Sequence, residues 1–413
     1  MRKISEKLSK ILLFLLLLLI PTQLGRHFWF DWSLVLGIRI DYLSFILYLI
    51  DLIWLALFVI EIFCHGRIKN YIKNNFLNFK TLLIIGFVIV NILIAENFMV
   101  AGYKWLRIWQ LIWFIWYVNK NKRLVGQFLE KIIPIWIILE SFLAIGQIFK
   151  SGSLNGIWWW LGERKFSFNT IGIAQMSVIG NGLVRAYGTF SHPNSLAGFL
   201  LVSLILWWKY KGEILNKIFW WGVFWFALIA IILTGSRTIW ILTLISLFWF
   251  FWNNFKEIKN KGKGIFLLSV LLVLLFKIII FNNYFGNILS GWDENGWIKR
   301  GQLNLAAIEM IKRSPVFGVG AGNFLVNLPE FQKNNQIFWL QPVHNIFLLW
   351  ISEMGFLGLG IIIWSLRFYF VHKKIDTKYL WMLGIIVLSG MVDHYWLTLP
   401  QNMWLLALVL GLI

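Results

Sequence analysis

The amino-acid sequence predicts an all-α, polytopic membrane protein, and two observations support that fold class. Hydrophobic residues make up 59% and charged residues 14% of the 413 residues, whereas soluble chains carry roughly 25% charged residues. Runs such as Ile11–Ile20 and Gly264–Phe276 are continuously apolar, unlike the alternating strands of a membrane β-barrel. The one cysteine, Cys64, excludes a disulfide framework. Because no linker or repeat divides the chain, residues 1–413 are expected to form a single integral domain.

Hydropathy predicts about twelve membrane helices, or eleven if the short last one is not counted. They are expected at residues 8–25, 42–64, 81–99, 103–119, 132–149, 194–208, 216–234, 238–252, 264–281, 345–366, 379–396 and 400–413. The first resembles the core of a signal peptide, but no small-x-small cleavage site follows Pro21, Thr22 and Gln23. We therefore expect it to remain as the first helix.

The positions of the basic residues orient these helices. With the N-terminus in the cytoplasm, every segment predicted to face inwards carries at least three Lys or Arg, and the longer outer segments share fewer in total. Both termini are therefore expected inside, and two long loops, at about 150–193 and 282–344, are expected outside. In a membrane protein, the net charge of +20 is explained by the basic residues on the inner side. No nucleic-acid partner is therefore expected.

Each long outer loop contains one recognisable element. Residues Ile157–Leu161 include three tryptophans and suit the membrane–water interface. An amphipathic helix is predicted at 298–313, and Ser314-Pro315 ends it. The residues on its apolar face are Leu303, Ala306, Ala307, Met310 and Ile311. This helix has either a functional role or that of a plain structural cap.

Polar residues that could carry chemistry gather on the predicted outer side. Four separate segments contribute them: Arg185 with His192 and Asn194, Arg237, His344 with Asn345, and Asp393 with His394. An arginine at a helix end is often only a snorkelling anchor. Arg237, however, lies in a turn of a few residues and cannot move far from the helices. Lys104 also lies on this side but in no motif, and is expected to tolerate substitution.

Arginines at an outer membrane face suit a phosphate ligand, because a guanidinium binds phosphate oxygens bidentately and keeps its charge. A lipid-linked pyrophosphate would place its head at this depth. No metal or other cofactor is expected, since the outer acids are scattered and the one adjacent pair, Asp293-Glu294, precedes Asn-Gly as in a solvated turn.

His344 follows the longest outer loop and has the side chain of a general base, with an unperturbed pKa of about 6.5. The alternative is a polar residue that only bonds backbone at a helix start. The glycine run Gly318–Asn323 follows a proline rather than a strand, so we interpret it as a close-packing turn and not as a nucleotide loop.

Taken together, these segments resemble the O-antigen ligase and polymerase family of membrane glycan transferases. Arg185 through Leu200 contains Gly-Thr-Phe-x-His-Pro-Asn-x-Leu-Ala-Gly, and Leu-Thr-Gly-Ser-Arg ends at Arg237. Arg300 through Phe324 contains Pro-x-x-Gly-x-Gly-x-Gly-Asn-Phe. His344-Asn345 is followed by nine residues and then Gly355-Phe356, where the family has Gly-Val. The specific resemblance covers about 180–360, including the loop 282–344.

The resemblance implies a metal-independent enzyme of the bacterial inner membrane whose active face is extracytoplasmic. Arg185 and Arg237 would grip the pyrophosphate of an undecaprenyl-linked glycan donor and behave alike on substitution. His344 would activate an acceptor hydroxyl. The residues that would line the site are His192, Asn194, Arg300, Asn345, Asp393 and His394.

The acceptor could be a glycan, a lipid or a protein. The family includes ligases that act on lipopolysaccharide core, polymerases of surface polysaccharide and protein O-oligosaccharyltransferases, and the sequence does not separate them. A lipid-linked glycan flippase is the alternative from another class, and it would need charged residues at mid-membrane depth. Asp51, Glu140 and Lys277 are few and scattered, which disfavours it.

Overall fold

The computed structural model describes residues 2–63, 79–178, 181–210, 217–254, 294–332, 340–371 and 373–413. Helices dominate these residues. The helices are α1 (Arg2–Leu18), α2 (Leu49–Phe63), α3 (Phe79–Leu93), α4 (Phe98–Lys120), α5 (Lys122–Lys150), α6 (Pro193–Tyr210), α7 (Lys217–Leu233), α8 (Arg237–Asn254), α9 (Glu294–Arg313), α10 (Phe324–Phe331), α11 (Ile346–Phe370), α12 (Thr377–Gly390), α13 (Tyr395–Thr398) and α14 (Pro400–Leu412).

Three small antiparallel pairs of strands lie in the connections between helices. The strands are β1 (Gly25–Phe28), β2 (Leu34–Val35), β3 (Ile38–Arg39), β4 (Phe45–Tyr48), β5 (Gln175–Val178) and β6 (Asn181–Val184). β1 pairs with β4, β2 with β3, and β5 with β6. Two 3₁₀ helices, Asp31–Ser33 and Gly156–Leu161, complete the connections. None of these strands was expected from the sequence.

Two helices, α5 and α11, are long and apolar enough to cross a membrane. Five shorter helical segments are also apolar: Lys80–Leu93, Phe219–Leu233, Arg237–Phe250, Thr377–Gly390 and Pro400–Leu412. Large apolar side chains such as Leu83 (57% exposed) and Ile112 (57% exposed) face outwards from their helices. Such a surface suits lipid and not water. The chain is thus a helical membrane protein, while the number of spans stays a prediction.

The main core lies where α5 packs against α6 and α7, and where α4 packs against α14. Trp136, Phe199 and Trp207 are fully buried there. Because α6 is apolar on every side, with its residues from Pro193 to Trp207 almost all buried, it forms the centre of the bundle. The site residues that precede α6 are thereby attached to the buried centre of the bundle.

The amphipathic helix is confirmed as α9, and it ends at Arg313, directly before Ser314-Pro315. Leu303, Ala306, Ala307 and Met310 on its apolar face are fully buried. They pack in one cluster with residues of α10 and α11. This packing gives α9 a structural role, and it also fixes the position of Arg300 on the same helix.

The glycine run Gly318–Asn323 packs directly on the backbone of α11, which confirms the close-packing turn. The Val319 amide donates to Ser352 O at 2.8 Å. A Cβ at Gly318, whose φ is +71°, would lie 2.4 Å from the carbonyl carbon of Glu353. No larger residue fits a backbone approach this close.

Helix α11 is interrupted where the sequence departs from the family pattern. Gly355 has a φ of 65° inside the helix, and a Cβ there would lie 2.1 Å from Val316 O. The Phe356 amide donates to Pro315 O at 2.8 Å across this break. The Phe356 side chain is 56% exposed, so the replacement of the family's valine changes only surface packing.

Two predicted spans differ in their boundaries from the structure. The span expected at 42–64 begins with strand β4 and becomes helical only at Leu49, because β4 pairs with β1 along its whole length. A fully apolar run such as Phe45–Tyr48 does not reveal by periodicity whether it is strand or helix. The span expected at 379–396 ends at Gly390. The span expected at 264–281 and the Asp293 part of the turn lie outside the described residues.

Candidate active site

The loop that carries Arg185 is held against α5 by two buried side chains. Gln147 accepts hydrogen bonds from the amides of Tyr187 (2.9 Å) and Gly188 (2.8 Å). Glu140 accepts from the amide of Thr189 at 2.9 Å and from its hydroxyl at 2.8 Å. Because these polar groups satisfy one another inside the bundle, the loop has one defined position.

Arg185 joins two segments that are distant in sequence. Its Nε donates to Thr234 O at 2.6 Å, and one of its terminal nitrogens donates to Asn194 Oδ1 at 2.6 Å. Burial is the main cause that lowers the pKa of Arg185, to about 10, and it stays positively charged at neutral pH. The guanidinium of Arg185 is therefore partly used by the protein itself.

The contacts continue from Asn194 to Asp393. Asn194 Nδ2 donates to Asp393 Oδ2 at 2.8 Å, and the His394 amide donates to Asp393 Oδ1 at 2.8 Å. Asp393 is only 6% exposed. Burial would raise its pKa, but the neighbouring histidines and the Asn194 hydrogen bond lower it to about 2. The carboxylate is therefore ionised at any physiological pH.

His344 lies next to this carboxylate and to a second histidine. The rings of His344 and His394 are 5.1 Å apart at an interplanar angle of 74°. His344 Nδ1 is buried and has no hydrogen-bond partner within the part of the chain that the structure describes. Burial lowers the pKa of His344, the charges of Arg300 and Lys299 lower it further, and Asp393 opposes them. A neutral imidazole with an unpaired nitrogen can accept a proton.

His394 is more deeply buried than His344, with 6% of its surface exposed. Its Nδ1 is 2.7 Å from Thr398 Oγ1, and its ring meets the Tyr42 ring edge to face at 5.6 Å. Burial lowers its pKa to about 3, so it is neutral at pH 7. Sequence reasoning missed Tyr42 and Thr398, because Tyr42 was assigned to a membrane helix and Thr398 belongs to no motif.

His192 and Asn345 have roles at helix starts. His192 Nδ1 accepts from the Asn194 amide at 3.2 Å just before α6, and burial lowers its pKa to about 4. Asn345 caps α11 by accepting from the amides of Phe347 (2.9 Å) and Leu348 (3.1 Å), and it donates to Met391 O at 3.1 Å. Asn345 thus holds the start of α11 beside the end of α12 and positions His344 near Asp393.

Two further arginines add positive charge beside this cluster. Arg237 is the first residue of α8 and is exposed, and Arg300 is exposed on α9. Burial is the largest cause of the lowered pKa of Arg185, and the charges of Arg237 and Arg300 lower it further. Three arginines from three segments therefore act on one region, next to a neutral histidine and an ionised aspartate. Such a region can neutralise the charge of a phosphate group.

His344, Asp393 and His394 also place possible metal-ligand atoms within 4.8 Å of one another. Protein groups already use several of those atoms, since both Asp393 oxygens accept hydrogen bonds and His394 Nδ1 is paired with Thr398. The adjacent arginines also repel a cation. The donor set therefore fits a metal poorly, and metal independence stays a prediction.

Comparison with known proteins gave one family match. Residues 222–363 match the family model described as O-Antigen ligase. This part of the chain is therefore similar to the O-antigen ligase family. The matched range includes Arg237, Arg300 and His344. Arg185 and Asp393 lie outside this range, but in the folded protein they lie near its residues. No curated protein and no solved structure matched the chain. The match supports a membrane enzyme of ligase or polymerase type.

Proposed function

We propose that this protein transfers a glycan from an undecaprenyl-pyrophosphate carrier to an acceptor hydroxyl at the site around His344. The observation that carries the proposal is the meeting of Arg185, Arg237 and Arg300 with a neutral His344 beside Asp393. The match of residues 222–363 to the O-antigen ligase family supports it. A cationic patch for pyrophosphate and a base for a hydroxyl are the two groups that such a transfer needs.

The reaction has one bond-forming and one bond-breaking step. The acceptor oxygen attacks the anomeric carbon of the donor's first sugar while His344 takes the hydroxyl proton. The bond between that carbon and the phosphate oxygen breaks, and lipid pyrophosphate leaves with the electron pair. The three arginines stabilise the charge on the leaving group as it develops. Asp393 favours the imidazolium that forms on His344, because the two charges are opposite.

The three arginines divide this work by their exposure. Arg237 and Arg300 are exposed, so their forks can reach phosphate oxygens directly. Arg185 adds its charge while holding the Thr234 turn and Asn194 in place. Donor binding should therefore depend most on Arg237 and Arg300, and the shape of the site most on Arg185.

The same proposal places the protein in the bacterial inner membrane with both termini in the cytoplasm. The site would then face the extracytoplasmic side, where lipid-linked glycans and their acceptors meet. The positive-inside pattern of the sequence supports this orientation.

A reconstitution experiment tests the function. The purified protein is incubated with an undecaprenyl-pyrophosphate-linked oligosaccharide and, in parallel, with rough lipopolysaccharide, more of the lipid-linked donor, or a polypeptide acceptor. Mass spectrometry identifies the glycosylated product, and His344→Ala is the inactive control. Transfer to lipopolysaccharide indicates a ligase, chain extension a polymerase, and a glycopeptide a protein O-oligosaccharyltransferase. No product with any acceptor would overturn the proposal.

Movement of the donor across a vesicle bilayer without transfer would instead indicate a flippase. The charged groups inside the helices disfavour that outcome. Asp51 is paired with Arg107, and Glu140 with Thr189, so both serve the packing of the bundle. Lys277 lies outside the described residues.

A further inference from the structure

A cavity of about 380 Å³ lies beside the proposed catalytic cluster. Its walls come from the strand-containing segment between α1 and α2, from α4, and from the 3₁₀ helix Gly156–Leu161, with α14 closing one side. The volume is at the small end of the range of ligand pockets, roughly 300–1,000 Å³. It has room for a sugar unit and not for a whole glycan.

The cavity touches the cluster through His394. Thr398, which is 2.7 Å from His394 Nδ1, and Tyr42, whose ring meets the His394 ring, both line the cavity. Arg185 contacts the cluster through different residues, since it donates to Asn194, which donates to Asp393. None of Arg185, Arg237 and Arg300 is among the described residues that line the cavity. The cluster therefore lies between a cationic patch and this cavity.

The cavity's charged groups balance in sign. Its lining contains three acidic and three basic side chains: Asp41, Glu163, Glu353, Lys104, Arg107 and Arg164. Arg107 is paired with Asp51, and the Glu163 carboxylate accepts from the amides of Leu154 and Asn155, both at 2.7 Å. Unlike the arginine patch, the cavity thus has no excess of positive charge. A phosphate would gain little here, and a neutral ligand is favoured.

What remains for a ligand is hydrogen-bonding capacity beside aromatic surface. Lys104 Nζ donates to Leu397 O at 2.7 Å and has two further protons. The Asp41–Arg164 pair is loose, at 3.8 Å, and exposed. Tyr42 and Trp159 supply aromatic rings, and Trp159 is 55% exposed. Donors, acceptors and flat rings together suit a neutral molecule with many hydroxyls. That Lys104 tolerates substitution stays a prediction.

We propose that this cavity binds a sugar unit of the acceptor and presents its hydroxyl to His344. The inference rests on the proposed transfer function and adds the place from which the acceptor enters. The donor's pyrophosphate is assigned to the arginine patch. A sugar in the cavity would reach the catalytic cluster past Tyr42 and Thr398, on the side away from Asn194.

Two neighbouring tryptophans provide a matched test. Trp159 lines the cavity, whereas Trp160, which is 66% exposed and in contact with Trp159 at 4.9 Å between ring centroids, does not. Transfer from an undecaprenyl-pyrophosphate-linked oligosaccharide to rough lipopolysaccharide is measured with each substrate varied in turn. Loss of an aromatic contact should raise the acceptor KM of Trp159→Ala about three- to tenfold. The donor KM should not change, and Trp160→Ala should match the wild type in both.

The outcomes separate this proposal from the general function. If the wild type transfers glycan but Trp159→Ala raises only the donor KM, the cavity holds the donor's sugar and the proposal is overturned. Unchanged KM values for both substrates would also overturn it. Binding of core oligosaccharide, released from rough lipopolysaccharide, to His344→Ala and to its Trp159→Ala double variant gives a readout that needs no turnover. Equal affinities there would likewise contradict the proposal, whatever the activity assay shows.

Discussion

Substituting Arg185 and Arg237 by lysine should give two different defects, because the two guanidinium groups have different surroundings. Arg185 makes two charge-assisted hydrogen bonds, to Thr234 O and to Asn194 Oδ1, both at 2.6 Å. Such bonds contribute roughly 1.5–3 kcal/mol each. A lysine ammonium can remake about one of them, so Arg185→Lys should cost about 1.5–3 kcal/mol of stability. Arg237 is exposed at the start of α8, and Arg237→Lys should leave the fold unchanged.

The two effects are measured separately, by thermal unfolding in detergent and by the dependence of transfer on donor concentration. Arg185→Lys should lower the unfolding midpoint by at least about 2 °C. Arg237→Lys should keep the midpoint and raise the donor KM about tenfold or more, because lysine keeps the charge but loses the planar fork. An unchanged midpoint for Arg185→Lys would refute the structural role. If Arg237→Lys kept the wild-type donor KM, the phosphate role would have to be assigned to another residue.

The remaining predictions concern the base, the metal and the break in α11. His344→Ala should reduce turnover by about 10²–10⁴-fold with donor binding retained; near-normal turnover of the folded variant would refute its role. Because the pKa of His344 is lowered and the base must be unprotonated, kcat/KM should fall with decreasing pH only below about pH 6.5; a midpoint above that value would contradict the assignment. Transfer activity should persist in EDTA. If EDTA abolished the activity and added magnesium restored it, the enzyme would require a metal. Gly355→Ala should greatly reduce the yield of folded protein, because its Cβ would lie 2.1 Å from Val316 O. Gly360→Ala on the same helix, with open space around its Cβ, is the control and should behave as wild type.

Sequence periodicity and motif order were sufficient to predict most helices and the meeting of the polar segments. The predicted spans at 103–119, 194–208 and 238–252 fall within α4, α6 and α8, because long apolar segments leave little choice of structure in a membrane. Asn194, His344 and Asp393 come together because each lies beside a helix end. Their positions in the predicted topology were enough to expect this.

What the sequence did not reveal depends on pairing between distant segments. β4 reads as the start of a helix, since only its pairing with β1 distinguishes it. Tyr42 was therefore placed at the start of a membrane helix, although its ring lies against His394. Lys104 likewise carried no motif, and its contact with Leu397 O joins residues 293 positions apart. Local patterns contain no information on such contacts.

The difference between Arg185 and Arg237 shows why a motif predicts a site better than it predicts individual roles. Both arginines lie in family-like motifs, and both contribute positive charge to the same region. Their exposure distinguishes them, because Arg185 is half-buried and donates to Thr234 and Asn194, while Arg237 is exposed. A group that the protein already bonds is preorganised and cannot turn fully towards a ligand. The arginine with the larger effect on stability should therefore have the smaller direct effect on donor binding.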